Sequence, residues 1–109
     1  MVNIRRYDTN IANVYTYFEF EELFQWEDFD ILLTILTNQL NFGIKENYDG
    51  IWSRHCKLEK EGYFFELMYH EDFGNCLCSQ FKKDEIFYKY LEKIANSVVA
   101  ELRKIKWRN

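Results

Sequence analysis

The sequence predicts an α+β fold, in which a small three-stranded antiparallel meander packs against two or three helices and the last helix is long. Two observations lead to this prediction. Three of the four glycines, Gly50, Gly62 and Gly74, lie 12 residues apart, which is a typical spacing of turns between short strands. Between Phe87 and Ile105, apolar residues recur every three or four positions, as they do on one face of a helix.

Two patterns overlap in the segment 11–25. With the helical period, four residues share one face: Ile11, Val14, Tyr15 and Phe18. With the period of a strand, a different set shares one face: Val14, Thr16, Phe18 and Phe20. We expect a helix here, capped by Thr9 or Asn10, with a strand as the alternative.

A helix is predicted next, from Asp28 to Leu40. Five of its apolar residues lie on one face and two extend that face: Phe29, Leu32, Leu33, Leu36 and Leu40, extended by Ile31 and Ile35. A helix with such a wide apolar face is expected to be buried on two sides. The segment 41–43, which ends in a glycine, is expected to terminate it.

The three strands of the predicted meander are separated by the later glycines. The first strand, Ile51–Glu59, mixes β-branched, aromatic and polar residues. The second, Tyr63–His70, is rich in aromatic residues, which suit a pleated surface, and the third is Cys76–Phe81. Turns are predicted at 59–62 and 71–75, where glycine and asparagine can adopt positive φ angles.

The C-terminal segment has the most regular apolar pattern of the chain. The stripe extends over roughly six helical turns and consists of Phe87, Leu91, Ile94, Val98, Leu102 and Ile105. Asp84 is the expected N-cap. Arg103, Lys104 and Lys106 suit the negative C-terminal end of the helix dipole.

Composition and charge exclude several classes of protein. Apolar residues make up 48% of the chain and aromatic residues 19%, which excludes an intrinsically disordered chain. No apolar run approaches the ~20 residues of a membrane-spanning helix, and the N-terminus lacks the pattern of a signal peptide. We therefore expect a single cytoplasmic domain, 1–109, that does not bind membranes. The formal net charge of −4 argues against nucleic acid as a partner.

Few residues are candidates for metal binding or catalysis. The candidate metal ligands are His55, Cys56, His70, Cys76 and Cys78. Structural zinc sites use ligand pairs with two to four residues between them, whereas Cys76 and Cys78 have one residue between them and His55 and Cys56 have none. A thiol nucleophile beside His70 would need an orienting group and an oxyanion hole, and no motif indicates either. We expect no metal, no cofactor and no enzymatic activity. The three cysteines are expected to be reduced and buried.

An acidic and aromatic segment is the main candidate for a binding site. Residues 7–44 carry seven acidic side chains and no Lys or Arg, and six of the seven lie in 19–30, interleaved with aromatic residues. Protein interfaces favour aromatic anchors surrounded by charges that complement the partner. The predicted partner-binding residues are Glu19, Glu21, Glu22, Trp26, Glu27, Asp28 and Asp30, together with the turn residues Glu71, Asp72 and Phe73. The alternative is a junction whose aromatic side chains belong to the core and whose acids are solvated.

The chain resembles small bacterial immunity proteins, the inhibitors paired with contact-dependent growth-inhibition and polymorphic toxins. Two stretches carry the resemblance: Gly-Tyr-Phe-Phe-Glu-Leu-Met-Tyr-His at 62–70 and Leu-Glu-Lys-Ile-Ala-Asn-Ser-Val at 91–98. The size, the acidic balance and the order of helices, meander and long last helix are also similar over most of the chain. Immunity families share no binding motif, so the resemblance assigns no residues.

The resemblance implies a non-catalytic protein that binds one cognate toxin domain and occludes its active site. Many such toxins are nucleases with basic clefts, which suits an acidic inhibitor. The alternative is a regulatory or assembly protein that pairs with itself or with another protein through the same aromatic residues.

Overall fold

A computed structural model describes residues 3–8, 16–79 and 85–105 of the chain. The described elements are strands β1 (Ile4–Asp8) and β2 (Thr16–Phe20), helix α1 (Asp28–Thr34), a π-helical segment (Ile35–Gln39), strands β3 (Gly43–Asp49), β4 (Ser53–Lys60), β5 (Tyr63–His70) and β6 (Gly74–Ser79), and helix α2 (Glu85–Lys104). The described strands form one sheet in the order β1-β2-β6-β5-β4-β3, and every neighbouring pair is antiparallel.

The predicted three-stranded meander is wrong, because the sheet of the described residues has six strands, although the fold is α+β overall. The three predicted strands correspond to β4, β5 and β6. Of the three additional strands, β1 and β3 form the two edges of the sheet. All seven residues of β3 are exposed, so its sequence has no buried face and lacks the alternation by which a strand is recognised.

Strand β2 lies where a helix was expected, and for 16–20 that expectation is wrong. The segment pairs with β1 on one side and β6 on the other, and this pairing favours the strand alternative. Its side chains alternate between a buried set and a half-buried set: Thr16, Phe18 and Phe20, against Tyr17 and Glu19. Residues 11–15 and the expected caps Thr9 and Asn10 lie outside the described residues.

The helix predicted at 28–40 is present in two parts. The α-helical part ends at Thr34, and a π-helical segment continues to Gln39, closed by a hydrogen bond from the Leu40 amide to the Ile35 carbonyl at 3.1 Å. Asn41 then adopts a positive φ angle of 62°, a conformation that ends helices.

Both helices contribute to a core that lies on one face of the sheet. Its fully buried side chains include Phe18, Phe20, Leu58, Leu67 and Leu77 from the strands, and Phe29, Leu32, Leu36, Leu91 and Leu102 from the helical segments. Burial of each such side chain contributes roughly 2 kcal/mol. The C-terminal helix is observed as α2, and its expected cap Asp84 lies outside the described residues. Neither described helix has the length and hydropathy that a membrane crossing requires.

Candidate partner-binding surface

Three loops meet at one end of the sheet. Because the strands are antiparallel, β2, β3 and β5 end where β4 and β6 begin. The loops are residues 21–27 between β2 and α1, 50–52 between β3 and β4, and 71–73 between β5 and β6. Together they are termed the loop end. The fold thus brings the predicted turn 71–73 next to much of the predicted segment 19–30, although these are about 50 residues apart in the chain.

Asn75 of β6, two residues after the third loop, holds the first loop against the start of β6 through hydrogen bonds. Its backbone amide donates to the Leu23 carbonyl at 3.1 Å, and its buried side-chain amide donates to the carbonyls of Leu23 at 3.0 Å and Gln25 at 3.2 Å. The preceding Gly74 has a φ of +72°, and a Cβ there would lie 3.0 Å from the Leu23 carbonyl oxygen. Glycine therefore permits both the turn and the close approach of the first loop.

The second loop is held by two backbone hydrogen bonds. The Gly50 amide donates to the Ser53 carbonyl at 2.8 Å and closes the turn. The Glu71 amide donates to the Trp52 carbonyl at 3.0 Å and connects the second loop to the third. All three loops are therefore positioned by hydrogen bonds before any partner binds.

Large apolar side chains are exposed in every loop of this end. They are between 39% and 83% exposed: Phe24, Trp26, Ile51, Trp52 and Phe73. Trp26 packs against Tyr69, and Phe73 packs against Tyr17 and His70, so the exposed side chains are distributed around this end of the sheet. Exposed apolar side chains concentrated at one end of a domain are candidates for an interaction site. The sequence prediction included Trp26 and Phe73 and missed the other three. Ile51 and Trp52 had been assigned to a strand, although the turn signal at Gly50 was a sign that they are exposed.

Four predicted acidic residues lie exposed in these loops: Glu22, Glu27, Glu71 and Asp72. The loop-end sequence contains no Lys or Arg. Exposed apolar side chains and negative charge thus occur at the same end of the sheet, and this combination favours a partner with a positively charged surface.

Asp30, by contrast, is neutralised within the protein. Arg54 from β4 donates two hydrogen bonds to its carboxylate, at 2.8 and 3.0 Å, and this contact lowers the pKa of Asp30 below its ordinary value. The same guanidinium donates to the Trp26 carbonyl at 3.1 Å and lies over the rings of Trp26 and Phe29, at 5.1 and 4.4 Å from their centroids. Arg54 therefore positions Trp26 as well as the start of α1.

Three further predicted residues make contacts within the protein. Asp28 is buried and accepts a hydrogen bond from the Gln25 amide at 3.1 Å, which stabilises the entry to α1. Glu21 forms an ion pair with Arg5 of β1 at 3.5 Å. Glu19 is half-buried opposite Arg5 in the sheet, and burial raises its pKa while Arg5 opposes that rise. These carboxylates contribute less free charge to the loop end than the sequence suggested.

The three cysteines are free and buried, as predicted. The Sγ atoms of Cys76 and Cys78 lie 3.5 Å apart on β6. The hydrogen bond with Cys76, together with burial, raises the pKa of Cys78 well above its ordinary value, and burial raises the pKa of Cys56 to about 11. Thiols in such surroundings stay protonated and are poor nucleophiles and poor metal ligands. Within the described residues, no three His, Cys, Asp or Glu side chains are grouped to hold a metal ion.

Comparison of the chain with protein-family models, with curated proteins and with solved structures finds no match.

Proposed function

We propose that this chain is an immunity protein, which binds the domain of a cognate bacterial toxin through the loop end and blocks the toxin's active site. The observation that carries the proposal is the loop end itself, where exposed aromatic side chains occur together with exposed acidic residues in loops that contain no Lys or Arg. The resemblance to immunity proteins supports the proposed role, and the exposed residues of the loop end support the choice of this surface as the binding site.

The arrangement matches the energetics of tight protein interfaces. A few large side chains, above all Trp and Tyr, contribute most of the binding free energy, and surrounding polar residues exclude water. Trp26 and Trp52 are the expected anchors, because both are exposed tryptophans in fixed loops. Since these loops are already positioned, little conformational entropy is lost on binding.

The charge of the loops supports a basic target. A nuclease binds phosphate groups in a cleft lined by Lys and Arg, and such a cleft attracts an acidic protein. Glu27, Glu71 and Asp72 are exposed and lie in loops without basic residues. We expect them to speed association and to make binding weaken as salt concentration rises.

The test is purification of the tagged protein from its native host, at low and then at high salt, with partners identified by mass spectrometry. We expect one stoichiometric partner with a basic toxin domain, released by salt. A self-associating protein without such a partner would instead favour the assembly role and contradict the immunity proposal.

Matched variants then locate the binding surface. The double charge reversal E71K/D72K should slow association with the partner about tenfold or more at low salt, since two attractive charges become repulsive. The control E61K/E92K makes the same change of charge at exposed positions outside the loop end. Equal slowing by both pairs would show that net charge matters and that the loop end does not.

The aromatic anchors are tested in the same way. W52A should weaken binding about 30-fold or more, as the loss of an interface hot spot does. F64A removes an exposed aromatic side chain of β5 near the opposite end of the sheet and should leave affinity unchanged. Wild-type affinity of W52A would exclude Trp52 as an anchor.

A further inference from the structure

Ser53, His55 and Glu66 form a continuous hydrogen-bonded chain. The Ser53 Oγ lies 2.8 Å from His55 Nε2, and His55 Nδ1 lies 2.7 Å from Glu66 Oε1. A carboxylate accepts hydrogen bonds, so Nδ1 carries the hydrogen that is donated to Glu66. In the tautomer with hydrogen on Nδ1 alone, Nε2 is the acceptor for the serine hydroxyl proton. This is the order of groups that activates a serine nucleophile: hydroxyl, general base and orienting carboxylate.

The sheet brings the three residues together through simple register. Ser53 and His55 are two positions apart on β4, so their side chains are on the same face of the sheet. Glu66 of β5 is directly opposite Lys57, and hence diagonal to His55 on that same face. Glu66 is buried, which strengthens its hydrogen bond with the imidazole. The Tyr48 ring stacks on the imidazole at 4.7 Å and fixes its plane.

The loop before Ser53 approaches its hydroxyl closely and carries backbone N–H groups. A Cβ on Gly50 would lie 2.5 Å from the Ser53 Oγ, so a side chain at position 50 would collide with the hydroxyl and glycine avoids this. No hydrogen bond within the described residues uses the amide of Ile51 or Trp52. Such backbone amides are suitable donors to a developing oxyanion. The exposed side chains of Ile51 and Trp52 offer apolar contacts to an acyl chain.

We propose that Ser53 is a nucleophile towards carboxylic esters with an apolar acyl group, with His55 as its general base and Glu66 as a positioning residue. Ser53 Oγ attacks the carbonyl carbon and its proton passes to His55 Nε2. The ester C–O bond breaks, and the alcohol leaves with that proton. Water then attacks the acyl-serine through the same base, which releases the acid and restores the hydroxyl. This activity goes beyond the proposed binding function and does not depend on it.

The first test needs no variant. The wild-type protein is treated with an alkyl fluorophosphonate, which forms an O–P bond with an activated serine and loses fluoride. The modified residues are then identified by peptide mass spectrometry. Ser97 is an internal control, since it is also half-buried and its hydroxyl donates to the Lys93 carbonyl at 3.0 Å instead of to a base. We expect Ser53 to react about 100-fold faster than Ser97, the typical contribution of a general base. Equal rates at the two serines would overturn the proposal.

The second test uses hydrolysis of p-nitrophenyl butyrate. S53A should abolish hydrolysis above that of the S97A control, and H55Q should lower it about 100-fold. E66Q should lower it while the melting temperature stays near that of wild type, and E66D should restore part of it. Hydrolysis that persists in S53A would overturn the proposal, as would retention of full activity by H55Q.

Discussion

The first turn of α1 and the turn 71–73 are both acidic, but the protein uses their carboxylates in opposite ways. At the start of α1, Asp28 is buried and Asp30 is bound by Arg54. In the turn, Glu71 and Asp72 are exposed in a loop without basic residues. From composition alone, both segments were predicted to bind a partner. The difference arises from Arg54, a residue 24 positions from Asp30, so only the fold decides which acids face a partner.

The largest expected effect concerns the attachment of the loop 21–27, which leads into α1, to the start of β6 beside the turn 71–73. N75A removes two buried side-chain hydrogen bonds to the Leu23 and Gln25 carbonyls and leaves a cavity. The free energy of unfolding should fall by about 2–3 kcal/mol, measured by urea denaturation. Because the first loop is released, partner binding should weaken as well. A variant as stable as the wild type would show that Asn75 does not hold the loop end together.

The next effect concerns the contribution of the Arg54 guanidinium, which binds Asp30, to the free energy of unfolding. R54A should lower the free energy of unfolding by about 1–2 kcal/mol, since it removes hydrogen bonds to Asp30 and the Trp26 carbonyl and the cation–π contacts. R54K keeps the charge but not the planar fork of donors, so it should restore only part of the stability. Full restoration by lysine would mean that charge alone matters there.

A smaller effect should depend on pH. The folded protein holds the pKa of Asp30 below its ordinary value, so the ionised carboxylate stabilises the fold above about pH 4 and loses this effect as pH falls. The stability difference between the wild type and D30N should be constant from pH 5 to 7 and should shrink below about pH 4. A difference that does not change down to pH 3 would contradict the ion pair.

The smallest effect on stability is expected in the exposed turn. E71Q should change the free energy of unfolding by less than about 0.5 kcal/mol, because the side chain is exposed. It should nevertheless slow association with a basic partner about threefold at low salt. D30N should show the reverse, with lower stability and nearly unchanged association. Equal effects of E71Q and D30N on the free energy of unfolding and on the rate of association would contradict the difference between the two segments.

Elements with a strong local signal were predictable from the sequence. The spacing of glycines located β4, β5 and β6, and the apolar stripe located α2. The edge strands β1 and β3 were missed because an edge strand with solvent on several sides has no apolar period. Strand β2 was ambiguous because helical and strand periods overlap in the segment 11–25 that contains it, and pairing with β1 and β6 selects the strand for 16–20.

The candidate sites show the same limit. Trp26 and the turn 71–73 were found by composition, but Ile51 and Trp52 were missed, because they were assigned to the predicted strand 51–59 and not to a loop. The chain Ser53–His55–Glu66 has no sequence motif, since Glu66 reaches His55 only through the register of β4 with β5. Contacts between strands are set by pairing, which composition does not reveal.

The most direct test of the binding surface is site-specific photo-crosslinking in the native host. A photoreactive aromatic residue is placed at Trp52, in the loop end, or at Phe64, an exposed aromatic position of β5 near the opposite end of the sheet. The proposal predicts that position 52 crosslinks to one basic toxin domain and that position 64 does not. Crosslinking of that domain from position 64 alone, or crosslinking from position 52 only to a second copy of this chain, would contradict it.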